Sequence, residues 1–146
     1  MVFLEQPKDF NPKYNVAGCL IECDENILLL HRQDYKPQGN SWGIPAGKMD
    51  PEDKDNAIST LLREVFQETG ISLKEFDLKK INTFYVRYPE YDFVYHYYKN
   101  TFLKKPEVII NNNEHSNFLW VTPSEALLLP LIPGEDFCMK YAYGIK

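Results

Sequence analysis

Two glutamates, Glu64 and Glu68, stand four residues apart in this sequence, and their carboxylates could bind a metal ion. On an α-helix they would lie about 40° apart around the axis, one turn above the other. Like charges at this spacing weaken an isolated helix, so the pair favours a bound cation. Carboxylate oxygens are the ligands that Mg2+ and Mn2+ prefer. Taken alone, such a pair is also typical of a solvated acidic helix face.

The helix that carries this pair is predicted over Asp55–Thr69, with Asp55 as its N-cap and Gly70 as its C-terminal cap. Its apolar residues recur at helical spacing and are expected to face a core: Ile58, Leu61, Leu62, Val65 and Phe66. Other short segments are predicted around it: strands Val16–Glu22, Ile27–His31, Leu78–Arg87, Phe93–Leu103 and Asn117–Val121, and helices Pro123–Leu128 and Glu135–Ala142. The first two strands are expected to form a hairpin. This order predicts a mixed α/β sandwich.

Size and composition indicate a single domain over residues 1–146. The N-terminus lacks a signal-peptide pattern and no apolar run could cross a bilayer, so a cytoplasmic protein without membrane contacts is expected. The net charge of −5 argues against a nucleic acid polymer as partner. Cys19, Cys23 and Cys138 are expected to be buried, reduced thiols. Either a monomer or a homodimer is compatible with the sequence.

The segment from Gly47 to Ile71 resembles the Nudix box, whose general form is G-x5-E-x7-R-E-U-x-E-E-x-G-U, where U is a large aliphatic residue. Six residues occupy their places in unbroken register: Arg63, Glu64, Val65, Glu68, Gly70 and Ile71. The preceding residues, 42–48, resemble the strand and turn that lead into the box in this family. The resemblance covers the motif directly and extends loosely to most of the chain.

The sequence departs from the general form of the box in two ways, in the length of its first loop and in the number of its acidic residues. The gap from Gly47 to the arginine is two residues longer than usual. The first acid is then Asp55 in the strict register, or Glu52 or Asp53 under another alignment. Gln67 replaces the first residue of the usual glutamate pair. Because an amide carries no charge, the number of metals stays open, and a nucleotide-binding module without turnover is an alternative.

The resemblance implies an α/β/α sandwich with a mixed sheet and a central loop–helix–loop motif. It also implies Mg2+-dependent hydrolysis, with Mn2+ as a possible substitute, of a nucleoside diphosphate linked to another group X. Glu64, Glu68 and the Gly47 carbonyl are the implied metal ligands. Arg63 is expected to pair with an acid of the preceding loop and hold it against the helix. The general base is Glu64 or Glu114.

Substrate contacts are less constrained by the sequence. Arg32 ends a predicted strand and is a candidate for binding phosphate, because its forked donors fit that anion. Tyr88 is a candidate for stacking on a base, although aromatic residues that alternate along strands usually pack in a core. His115 is expected to face solvent.

Two spacings from the box point to different substrates. Tyr88 stands where dinucleoside polyphosphate hydrolases have a tyrosine, and Pro89 is near the place where ADP-ribose pyrophosphatases have a proline. The short chain resembles MutT-type enzymes, which hydrolyse nucleoside triphosphates. We therefore rank a nucleoside triphosphate first, with a dinucleoside polyphosphate or ADP-ribose as alternatives.

Overall fold

The computed structural model describes residues 1–53 and 56–146. The strands are β1 (Val2–Phe3), β2 (Pro12–Cys23), β3 (Asn26–Arg32), β4 (Trp42–Gly43), β5 (Ala46–Lys48), β6 (Lys79–Arg87), β7 (Asp92–Phe102) and β8 (His115–Val121). The α-helices are α1 (Ala57–Thr69), α2 (Pro123–Ala126) and α3 (Glu135–Tyr143). Short 3-10 helices cover Pro51–Asp53 and Glu75–Asp77. Among the described residues, no helix is long and apolar enough to cross a membrane.

One mixed sheet organises these elements. Its main path runs β1-β6-β7-β2-β3-β4, while β5 also pairs with β2 and β8 pairs with β3. The long strands β2 and β7 are parallel, and the other named pairs are antiparallel. The predicted hairpin is confirmed between β2 and β3, where Asp24 and Glu25 both have positive φ angles. Two such residues are what a tight hairpin turn requires.

Two apolar cores lie on opposite faces of the sheet and are covered by different helices. Leu61 and Val65 of α1 are fully buried in one core. Cys138 and Met139 of α3 are fully buried in the other, together with Phe84. This is the α/β/α sandwich with a mixed sheet that the resemblance implied. The three cysteines are buried and unpaired, as expected.

The long helix starts later than predicted. Asn56 is its N-cap, because its side-chain oxygen accepts hydrogen bonds from the backbone N–H groups of Ile58 and Ser59. The predicted cap, Asp55, lies outside the described residues. At the other end Gly70 is the cap, as predicted, with a φ of 73° that suits glycine.

Three further expectations need correction. Phe66 is 56% exposed and does not face the core, because one residue beyond buried Val65 the helix has turned by about 100°. The last strand begins at His115, two residues before the predicted start. The short strand β1 was not expected; it pairs Val2 with Val86 at the edge of the sheet.

Candidate functional site

Glu64 and Glu68 lie on the side of α1 that faces strand β5. The backbone N–H of Ala46 donates a 3.0 Å hydrogen bond to Oε1 of Glu68. Gly47 touches the other glutamate so closely that a Cβ at this position would lie 2.2 Å from Cγ of Glu64. The missing side chain of Gly47 therefore lets the strand backbone approach the carboxylate. Pairing of β5 with β2 holds that backbone in place.

Both carboxylates are held in surroundings that disfavour negative charge. Burial raises the pKa of Glu68 well above its ordinary value, and the charges of Glu114 and Glu64 raise it further. The Ala46 N–H and the charge of Arg32 act in the opposite direction. Burial also raises the pKa of Glu64. A cation between these oxygens would offset both the burial of the carboxylates and the repulsion between their charges. The two carboxylates therefore fit a hard divalent metal.

Arg63 connects the helix to the loop before it, as the resemblance implied. Its Nη2 donates to Oδ2 of Asp53 at 2.7 Å, and its Nη1 donates to Oε1 of Glu64 at 2.7 Å. Asp53 is buried and also accepts hydrogen bonds from Thr60 Oγ1 and from the backbone N–H of Asp50. Among the acids left open by the sequence, Asp53 is therefore the described partner of Arg63.

Of the other acids that the sequence left open, only Glu52 lies in the described part of the chain, and it is not among the described ion-pair partners of this arginine. Glu52, next to Asp53, is exposed. Asp55 falls on the residues that are not described. Asp50 contributes a second, weaker ion pair, with its Oδ2 3.3 Å from Nη2 of Arg63.

Glu114 and His115 reach the same helix face from the start of β8. A carboxylate oxygen of Glu114, a carboxylate oxygen of Glu68 and a ring nitrogen of His115 lie within 4.8 Å of one another. The expectation that His115 faces solvent is wrong, since the residue is only 4% exposed. Strand pairing explains the difference, because His115 lies opposite Arg32 on β3. Burial lowers the pKa of His115 to about 4, and the positive charge of Arg32 adds to this effect.

A cavity of about 310 Å³ opens beside the acidic residues. Glu68, Gly47, Arg32 and Tyr88 all line it, so four of the predicted site residues share one space. Arg32 donates from Nε to the carbonyl of Pro37 at 2.8 Å, which orients its guanidinium group. The Tyr88 hydroxyl donates to the carbonyl of Pro133 at 2.8 Å, so this ring is held at the cavity wall.

One polar residue of the cavity was missed by sequence reasoning. Glu135, the first residue of α3, is 4% exposed and lines the cavity. Its two oxygens accept hydrogen bonds from the hydroxyls of Tyr95 at 3.0 Å and Tyr97 at 2.6 Å. Burial raises its pKa to about 7, although the two hydroxyls oppose the shift. Nothing in the sequence distinguishes it from its neighbour Asp136, because acidic residues are common in the first turn of a helix.

Comparison with known protein families agrees with the resemblance seen in the sequence and with the acidic site described above. The model of the NUDIX domain matches residues 12–140 of the chain. The chain belongs to the Nudix family. It is an enzyme of the hydrolase type, and the resemblance seen in the box from Gly47 to Ile71 is confirmed.

Individual relatives cover most of this Nudix chain. The Nudix hydrolase YvcI of Bacillus subtilis is 28% identical over 131 residues, which are 86% of this chain and 78% of that protein. The CTP pyrophosphohydrolase of Escherichia coli is 25% identical over 130 residues, covering 82% of this chain and 84% of that enzyme. The ADPR responsive transcriptional repressor NtrR of Acinetobacter baylyi is 30% identical over 144 residues, or 95% of this chain. The chain spans only 56% of that repressor.

Solved structures show the same fold. The NUDIX domain of Shewanella oneidensis NrtR, in complex with ADP ribose, superposes with a TM-score of 0.77 at 19% identity. The alignment covers 96% of this chain and 92% of that one. Nudix proteins with this fold therefore include one that binds a small nucleotide derivative.

Proposed function

We propose that this Nudix enzyme hydrolyses a diphosphate bond of a nucleotide, with a nucleoside triphosphate as the preferred substrate and Mg2+ as the metal. The observation that carries the proposal is that Glu68 lines the cavity together with aromatic residues, while Glu64 and Glu114 lie close enough for their charges to act on it. Acidic groups beside a cavity of this size suit a metal-bound polyphosphate whose nucleoside enters the cavity.

The residues proposed to hold the metal are Glu64, Glu68 and the carbonyl of Gly47, and Mn2+ could replace Mg2+. When bound, the metal would neutralise phosphate charge and lower the pKa of a water molecule. The chain fits this role because the two carboxylates are crowded together and partly removed from water. Because Gln67 stands where the general form of the box has a glutamate, the site has less negative charge. We therefore propose that it binds fewer metal ions than the full box does.

Other residues of the chain would position and activate the reactants. Arg63 is held between Asp53 and Glu64 and fixes the orientation of the Glu64 carboxylate. Glu64 and Glu114 are the two candidates for the general base, and the raised pKa of Glu64, caused mainly by burial, suits a group that accepts a proton from water near neutral pH. Arg32 lines the cavity beside Glu68 and is the candidate for the substrate's phosphates.

The aromatic side of the cavity supports a nucleoside as the other part of the substrate. Tyr88, Tyr91 and Phe93 line it, and planar rings provide stacking surfaces for a base. Glu135 is the acidic group at this end of the cavity. A carboxyl group there can form hydrogen bonds to the edge of a base, which an apolar cavity could not do. The relative named CTP pyrophosphohydrolase is consistent with this proposal.

The same experiment also tests two alternative functions. A dinucleoside polyphosphate or ADP-ribose could be the substrate, and the NrtR domain with bound ADP ribose favours the latter. A binding module without turnover is the other alternative, and the similarity to the repressor NtrR favours it. We also propose that residues 1–146 form one domain, and that the protein is a monomer or homodimer of the cytoplasm with no nucleic acid polymer or membrane as partner.

The test measures release of phosphate and pyrophosphate from nucleoside triphosphates, dinucleoside polyphosphates and ADP-ribose, each with Mg2+, with Mn2+ or with EDTA. We expect metal-dependent release that is most efficient for a triphosphate. Substituting Glu64→Gln should lower kcat by about a hundredfold or more with little change in Tm. The exposed neighbour of the ion pair gives a matched control, Glu52→Gln, which should retain activity.

The possible results separate the alternatives. Efficient release from ADP-ribose or a dinucleotide would replace the triphosphate assignment. Tight binding without release from any compound would favour the binding module. A large loss of stability in Glu64→Gln would show that this residue stabilises the fold and would count against its role in the reaction.

A further inference from the structure

Three side chains from two distant parts of the chain meet at the edge of the cavity. Glu68 comes from α1, while Glu114 and His115 come from the start of β8. One potential ligand atom of each lies within 4.8 Å of the other two. Ligands of a single ion are separated by at most twice the metal–ligand distance, which is about 4–5 Å. The three atoms are therefore close enough to bind one ion together.

The imidazole of His115 supplies an independent observation. The residue is 4% exposed, and its Nδ1 is buried without a hydrogen-bond partner among the described residues. An unpaired buried polar atom costs about 1–3 kcal/mol, so native proteins normally satisfy it with a partner, a water or an ion. A histidine in this condition beside two carboxylates has the composition of a metal site with mixed nitrogen and oxygen ligands.

The positions of these ligands are set by backbone interactions. His115 is held by the pairing of β8 with β3, and its N–H donates to the carbonyl of Asn111 at 2.9 Å. Glu68 is held by the hydrogen bond from Ala46. The cations whose charges act on His115 are Arg32 and Lys36, and the Nε of Arg32 is used by the carbonyl of Pro37. The charges of Glu64 and Glu114 act on Glu68. These three carboxylates outnumber the two cations, so the cluster still attracts a divalent cation.

We infer that Glu68, Glu114 and His115 bind one divalent ion together, and that the imidazole selects Mn2+, Co2+ or Zn2+ over Mg2+. Mg2+ takes oxygen ligands almost exclusively, whereas an imidazole nitrogen suits these transition metals. The role of this ion in turnover rests on the proposed function. Binding itself is measured without substrate, so the two proposals can fail separately.

The experiment removes metal from the protein with a chelator and adds one equivalent of Mn2+. Pulsed EPR of the unaltered protein should show coupling of the ion to an imidazole nitrogen, and His115→Gln should abolish it. Calorimetric titration should show that His115→Gln weakens Mn2+ binding by about tenfold or more, while Mg2+ binding changes less than about threefold. Because the EPR measurement uses the unaltered protein, it does not depend on the variant's folding.

His96 provides the matched control. Its Nδ1 is also buried without a partner among the described residues, but its Nε2 is 3.0 Å from Oδ1 of Asn15 on the neighbouring strand. His96→Gln should keep both the nitrogen coupling and the Mn2+ affinity. The inference is overturned if the unaltered protein shows no nitrogen coupling, if His115→Gln binds Mn2+ normally, or if His96→Gln is the variant that loses the coupling. Nitrogen coupling without turnover would instead count only against the proposed function.

Discussion

At the scale of single residues, Asp53 determines how the loop before α1 is attached to the helix. It accepts hydrogen bonds from Arg63, from Thr60 and from the backbone N–H of Asp50. The hydrogen bond from Arg63 is the main cause that lowers its pKa from 3.8 to about 2, followed by that from Asp50. All of these partners donate to the charged carboxylate, which therefore stabilises the folded protein whenever it is ionised.

Asp53→Asn should consequently lower Tm at neutral pH. A carboxylate with a depressed pKa contributes its stability above the unfolded pKa and loses it as the pH falls through the folded pKa. The difference in Tm between the unaltered protein and the variant should therefore be full at pH 7 and shrink from about pH 4 towards pH 2. Thermal unfolding followed by circular dichroism across this range measures it. Glu52→Gln is the control, and a difference that is independent of pH would contradict the prediction.

At the scale of secondary structure elements, the contact between β5 and α1 sets the geometry of the acidic residues. The strand contributes only a glycine backbone where it meets Glu64, and a Cβ at Gly47 would lie 2.3 Å from Cδ of that glutamate. The same strand donates the Ala46 N–H to Glu68. The Glu64 side chain can therefore keep its present position only while position 47 has no side chain.

Gly47→Ala should destabilise the protein by about 1–3 kcal/mol, which is typical of overpacking. The added methyl group would push either the strand or the Glu64 side chain away. Truncating that side chain in the double variant Gly47→Ala/Glu64→Ala should restore most of the loss, because the clashing atoms are gone. Urea unfolding of both single variants and the double variant measures this coupling. Strictly additive effects would show that the two residues do not conflict.

At the scale of the whole molecule, Glu135 attaches the α3 layer to the central sheet. Its carboxyl group accepts hydrogen bonds from Tyr95 and Tyr97 of β7, and burial raises its pKa to about 7. The unfolded chain ionises this group near pH 4.5, whereas the folded protein keeps it protonated to about pH 7. Folding stability must therefore fall as the pH rises between these two values.

Glu135→Gln removes this titration while keeping the shape of the side chain. The variant should gain stability relative to the unaltered protein as the pH rises from about 4.5 to 7, by about 3 kcal/mol, and the gain should level off above that. Chemical unfolding at several pH values measures the difference. Asp136→Asn, at the neighbouring residue, should show only a small part of this trend, because the charge of Asp136 is the last of the causes of the Glu135 shift. A constant difference across the range would contradict the assigned cause.

The sequence alone determined the features that depend on neighbours along the chain. The register of Glu64 and Glu68, the cap at Gly70 and the β2–β3 hairpin all follow from helical periodicity or local turn geometry. The box from Gly47 to Ile71 was sufficient to predict the family and its sandwich fold. These features need no knowledge of what lies across the molecule.

Only the tertiary structure decided which distant groups meet. It paired Arg63 with Asp53, ten residues away, across a loop that is longer than the family's usual form. It buried His115 beside Glu68 and brought Glu135 to hydroxyls on a strand 38 and 40 residues earlier. Contacts of this kind depend on how the layers pack, and a local sequence pattern does not encode them. The box at Gly47–Ile71 therefore predicted the type of reaction, while packing determined the surroundings of its carboxylates.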